Sequence, residues 1–211
     1  MLKKHLILVG ILIALVLLYI ATQNYPGGSQ ADKNSIGYSW VNNYLSNLFS
    51  PKAVNGAENK ANIWADFGML FFCGSLLLFY VDFAGKIPDK RASNIIRYCG
   101  IGSMVSAFLA VTPLHDLMVR ISCGLSMLAI FYVTVFVLKS KRNGFKVLSL
   151  LCLALLYGGA YVYFTGNGIV ILPILQKVTF GLSIIWVLGL YYFTTSEDFR
   201  VKRKVIIGQH N

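Results

Sequence analysis

Five ionisable side chains stand inside or at the edge of long apolar runs: Asp66, His115, Asp116, Arg120 and Lys177. Charge at membrane depth is costly, so such groups call for partners or for a function. Asp116 and Arg120 are four residues apart, the spacing of an ion pair on one helix face. The His115 imidazole can take or give a proton. With Ser46, Asn47 and Asn62, these residues are the candidate ligand-binding pocket, and they can hold a lipid headgroup, relay protons or activate water. Asp66 and His115 are the candidates for function, and Asp116–Arg120 for the scaffold. The competing reading is structural. Thr112 would cap the next helix with Pro113 at its first position, Asp116 would face the helix dipole, and Lys177 would snorkel outward. No metal is expected, because one histidine and two aspartates fall short of the usual zinc set. No cofactor motif is present either, whether Walker loop, HExxH, GxSxG or dinucleotide fingerprint.

The elements that must position these groups are helices in a bilayer. Of 211 residues, 56% are hydrophobic and 13% charged, and mean hydropathy is +0.65. A spanning helix needs about 20 mostly apolar residues. Six runs qualify, at 5–22, 62–81, 94–112, 115–138, 147–165 and 174–195, leaving a single membrane domain over 1–211 and no room for a soluble one. Lys3 and Lys4 before the first run suggest a secretory leader, but Tyr19-Ile20-Ala21 lacks small residues at the cleavage spacing, so an uncleaved anchor is expected. Cys73, Cys99, Cys123 and Cys152 all fall within the runs and read as small apolar core residues.

A net charge of +11 raises the question of nucleic acid, which the distribution answers. Fourteen of the 19 basic residues fall before the first run, after the last, in the loops 82–93 and 139–146, or, for Arg97, just beyond the first of these loops. That is the positive-inside pattern: both termini cytoplasmic, with loop 23–60 exoplasmic and no nucleic-acid partner. The third run carries Gly100, Gly102, Ser103, Ser106 and Ala107, a small-residue face that permits close helix approach. Within the exoplasmic loop, Tyr38, Val41, Leu45 and Leu48 recur at helical spacing, which predicts a short interfacial helix over 38–49 with its apolar face down.

Three segments carry a resemblance: Tyr25-Pro26-Gly27-Gly28, then Asn43-Tyr44-Leu45-Ser46-Asn47-Leu48, then Ala65-Asp66-Phe67-Gly68-Met69-Leu70 with Gly74. Together they resemble a bacterial six-span membrane family of unknown function, whose members carry a similar N-x-I-S-D-L-G segment after the first span. More distantly, the chain is similar to the FRAG/DRAM/Sfk membrane proteins, which implies a link to lipid remodelling. The hairpin Thr112-Pro113…His115-Asp116 also fits that family's Pro- and His-containing turn. Asn47 stands where an Asp is usual and Phe49 where a Gly is usual, so any activity that rests on that Asp would be missing here. A weaker similarity to alkaline-ceramidase-like hydrolases stops at their clustered histidines, which this chain lacks.

The sequence therefore gives an all-α polytopic membrane protein with six transmembrane helices and a short exoplasmic interfacial helix. Its expected role is recognition or handling of a lipid at the outer leaflet, with membrane lipids as partners. The alternatives are a membrane-embedded hydrolase or transferase using Asp66 and His115, a small proton-coupled transporter, and a subunit of a membrane complex. Self-association or a membrane-complex partner stands beside them.

Overall fold

The structure, a computed structural model, describes residues 5–200. Lys3, Lys4, Lys202, Arg203, Lys204 and His210 lie outside the described residues. Six long helices follow one another: α1 (Leu6–Gln23), α2 (Asn62–Lys86), α3 (Lys90–Leu109), α4 (His115–Lys139), α5 (Asn143–Thr165) and α6 (Leu172–Phe193). Five stretches are long and apolar enough to cross a membrane: α1, α2, α4, α5, and α6 with the turn before it. The exception is α3, which begins Lys90-Arg91 and carries Arg97. Short connections make α2 to α6 run up and down in turn. Asp89 starts α3 four residues before the expected 94, because its carboxylate accepts the Ala92 N–H at 2.7 Å. Lys86 extends α2 beyond the expected 81. Its ammonium pairs with Asp82 at 3.0 Å and donates to the Tyr191 carbonyl at 3.2 Å, near the C-terminal end of α6.

Small residues set the tightest contacts. α1 lies along α2, where Gly68 meets Leu18 and the Ala14 carbonyl, and Gly10 meets Ser75. Ile7, Ile11, Ala14, Leu18 and Ala21 are buried there, so α1 is a working part of the bundle. Gly100 of α3 packs against the Tyr80 ring with no room for a Cβ. Across α3 and α4, the Ser122 hydroxyl donates to the Ser103 carbonyl at 2.9 Å.

Large side chains close one half of the bundle. Phe79, Phe83, Ile96, Val133, Trp186 and Leu190 are almost fully buried together, towards the ends marked by Lys86, Lys139 and Phe193. Trp186 Nε1 donates to Ser149 Oγ at 2.7 Å, which satisfies the indole at depth. Beneath the long loop, a second cluster joins Leu18, Ala21, Tyr25, Leu48, Ala61 and Ala65.

The loop between α1 and α2 is an ordered cap, and the predicted helix over 38–49 is not what forms. A turn at Trp40–Asn42 is followed by a single 3-10 turn, Leu45–Leu48. The supposed apolar stripe is split, with Leu48 fully buried and Val41 56% exposed. Asparagine chemistry won over periodicity. Asn43 Oδ1 accepts the Ser39 N–H at 2.8 Å and Asn47 Oδ1 accepts the Tyr44 N–H at 2.8 Å. The second bond takes an amide that a helix over 38–49 would have used. Asn59 ties the end of the cap, donating to the Leu48 carbonyl at 3.0 Å and the Ser50 carbonyl at 2.8 Å.

Candidate functional site

Under the cap, where large side chains are missing, the bundle is open. A chamber of about 500 Å³ lies between α4, α5 and α6, bounded by Met69 of α2, Ala107 of α3 and the Leu45–Leu48 turn. Among larger side chains such as Leu155, Leu156 and Tyr163, its walls include the small residues Ala107, Ser122, Cys123, Ser126, Gly159 and Ala160. Each leaves volume that the Phe and Trp residues fill in the other half. From His115 to Ser126 along α4 the chamber is about 16 Å deep, roughly half of a ~30 Å hydrocarbon core. Its volume falls within the ~300–1,000 Å³ of ordinary ligand sites.

A second chamber of about 450 Å³ adjoins the first at the cap. Ser46, Asn47, Ser50, Thr112 and Pro113 line it, and Ser46, Phe49, Ala110 and His115 belong to both chambers. The two spaces share these four residues, and the one at the cap is the more polar.

The polar mouth is fixed by backbone groups. Gln176 Oε1 accepts the Leu45 N–H at 2.9 Å, and Asn47 Oδ1 accepts the next N–H along the cap, that of Tyr44. A backbone N–H can only donate, so both amide oxygens face the cap backbone and each amide keeps its NH₂ end. His115 Nδ1 lies 3.2 Å from Asp116 Oδ1. Nδ1 donates to the carboxylate and leaves Nε2 uncommitted. Lys177 Nζ donates to the carbonyls of Asn43 and of Pro173, the latter at 2.9 Å, and stands 5.6 Å from the centre of the Tyr38 ring. It is a clamp holding the cap on α6. Burial raises the phenols of Tyr25, Tyr38 and Tyr44, so they stay neutral and serve as hydrogen-bonding and packing groups.

The structure divides the sequence-derived pocket. Ser46, Asn47 and His115 meet at the chambers, whereas Asp66, Asn62, Asp116, Arg120 and Lys177 line neither of the two. The expected Asp116–Arg120 scaffold pair does not form. Asp116 turns to its neighbour His115, and Arg120 lies exposed. No hydrogen bond or ion pair joins Asp66 to His115 or Asp116 among the described residues, so the single connected cluster is not built. Asp66 Oδ1 is buried without a hydrogen-bond partner. Its helix presents Met69, one turn further on, to the chamber instead. Thr112 does not cap α4. Its hydroxyl donates to the Leu109 carbonyl at 2.7 Å and accepts the Leu114 N–H at 3.3 Å. Among the described residues, no group of three His, Cys, Asp or Glu side chains is placed to hold a metal.

Gln176 and Asn43 are the residues sequence reasoning passed over. Gln176 carries no charge in a run read for charges, and its partner lies 131 residues away. Comparison with protein-family models, curated proteins and solved structures finds no match.

Proposed function

We propose that this protein binds a membrane lipid, with the tail in the 500 Å³ chamber and the headgroup in the polar chamber beneath the cap. The observation that carries this reading is that the two spaces adjoin, sharing Ser46, Phe49, Ala110 and His115. The depth of one leaflet matches a lipid drawn from a single side of the membrane. The basic loops 82–93 and 139–146 support an orientation with the cap exoplasmic, in a bacterial cytoplasmic membrane. In that orientation the lipid comes from the outer leaflet. We further propose that α3 is the sixth span, since it packs between α2 and α4 and its 20 residues reach about 30 Å despite its charged start. The cap chain then lies at the membrane interface as a turn-rich lid. Recognition and handling of lipid, rather than chemistry on it, suits a mouth whose amides are held by the backbone and whose histidine has only an exposed carboxylate beside it.

Native mass spectrometry of protein extracted from its own membrane tests the reading. A Cβ on Gly159 meets only Leu175, at 3.8 Å, so Gly159→Phe fits on α5 and sends its ring into the chamber. The wild type is expected to carry a bound lipid that Gly159→Phe lacks, with both proteins melting alike. A lipid retained equally by the folded variant would contradict the assignment.

A further inference from the structure

The polar mouth also selects among headgroups. No carboxylate, lysine or arginine lines either chamber. A charged headgroup would find no side chain of opposite fixed charge there to hold it in a charge-assisted bond. The fixed groups are uncharged. They are the NH₂ end left on Gln176, in the wall of the bundle chamber next to the cap, the NH₂ end left on Asn47, the Ser46 hydroxyl, and the ring of His115. Amide NH₂ groups meet only acceptor oxygens. In the neutral ring, with Nδ1 donating to Asp116, His115 Nε2 accepts from a hydroxyl. The mouth therefore matches a head that carries both carbonyl or ether oxygens and hydroxyl groups.

The tail chamber limits the other end. About 500 Å³ over a depth of about 16 Å gives a mean cross-section of about 30 Å². That takes one hydrocarbon chain with some slack and excludes two side by side. Small residues on three helices keep this channel open, and the aromatic half of the bundle closes its end.

We infer that the ligand is an uncharged single-chain amphiphile with hydroxyl and carbonyl oxygens in its head, the chemistry of a monoacylglycerol. Gln176 and Asn47 are its specificity-determining residues. The inference rests on reading the two chambers as a lipid site. Gln176→Glu keeps the oxygen that holds the Leu45 N–H and exchanges the NH₂ donor for an anionic oxygen, so the cap stays in place while the mouth turns against acceptor oxygens.

Binding of 1-oleoylglycerol, oleoyl lysophosphatidate, oleoyl lysophosphatidylcholine and dioleoylglycerol to the full chain in detergent would be measured by displacement of a fluorescent monoacyl probe. The glycerol ester is expected to bind at least tenfold more tightly than the other three. Gln176→Glu is expected to weaken it about tenfold with an unchanged melting temperature, and Gln176→Met should weaken it without adding charge. A lysophosphatidate or lysophosphatidylcholine that matches or exceeds the glycerol ester overturns the headgroup assignment and leaves the lipid site standing. Equal binding of dioleoylglycerol overturns the single-chain assignment. Unchanged affinity in a folded Gln176→Glu protein removes Gln176 from selection. Failure of every probe, together with a protein that carries no lipid from its own membrane, brings down the lipid site itself.

Discussion

Asn43→Ala should release the cap while leaving the helices assembled. Asn43 is fully buried and holds three segments at once. Its Nδ2 donates to the Gly28 carbonyl at 2.8 Å, and to Asn47 Oδ1 at 3.3 Å, while its Oδ1 accepts the Ser39 N–H. Truncation strands the Gly28 carbonyl and the Ser39 N–H in a site that water enters poorly. Each orphaned group costs about 1–3 kcal/mol. Ser39 and Asn47 are only partly buried, so the low end of each range applies, and the sum is about 2–4 kcal/mol on cap opening. At about 1.4 kcal/mol per factor of ten, cap amides should exchange hydrogen roughly 30- to 1,000-fold faster. Amides of α2 and α4 in the aromatic half should be unaffected, because cap and aromatic cluster are separate packing units. Hydrogen–deuterium exchange with mass spectrometry in micelles reads both. Cap peptides that stay within threefold of wild type would refute the assignment of Asn43 as the cap's central fastener.

Two glycines should respond in opposite ways. Gly100→Ala forces a methyl group into the Tyr80 ring and should destabilise the fold by about 1–3 kcal/mol, whereas Gly159→Ala makes only an ordinary contact with Leu175 and should be neutral or stabilise α5 by up to about 1 kcal/mol, both read from SDS unfolding in mixed micelles. At the other end of the bundle, burial raises the Asp198 carboxyl, but the Thr195 N–H and Arg142 outweigh it and hold it below its ordinary value. A depressed carboxylate stabilises the folded state above its unfolded pKa of about 3.9 and loses that contribution as pH falls through the folded value. Asp198→Asn should therefore melt below wild type at pH 7, with the gap closing below about pH 4. For orientation, an impermeant thiol reagent on intact cells should modify Lys60→Cys and spare Lys141→Cys, and the reverse pattern would invert the proposed topology.

How far the sequence carried depended on the range of the interactions involved. Helix positions were legible because apolar runs of bilayer length admit few other structures, and at two of the ends that moved a local side chain intervened, Asp89 and Lys86. The cap was not legible. Tyr38, Val41, Leu45 and Leu48 have helical spacing, but Asn43 and Asn47 supply competing bonds to the backbone that no periodicity shows. The candidate site was read from charge, and charge is what the chambers exclude. Ser46, Asn47 and His115 were found, while Asp66 and Arg120 attracted notice for the expense of burying them. Gln176 was missed, since its role depends on an amide oxygen meeting a cap N–H far away in sequence. The small-residue face of α3 was read for close packing. Gly100 fulfils that reading against Tyr80, but Ala107 instead leaves space at the chamber.

The central claim is that one lipid occupies both chambers. Photo-crosslinking with a monoacylglycerol bearing a diazirine near the end of its chain, in the native membrane, tests it most directly. Peptide mapping should place the adducts deep in the chamber, on Cys123, Ser126, Leu155 or Leu156, and excess 1-oleoylglycerol should suppress them. Adducts confined to outward-facing side chains such as Leu128, Phe131 and Ile185, and indifferent to competitor, would contradict it.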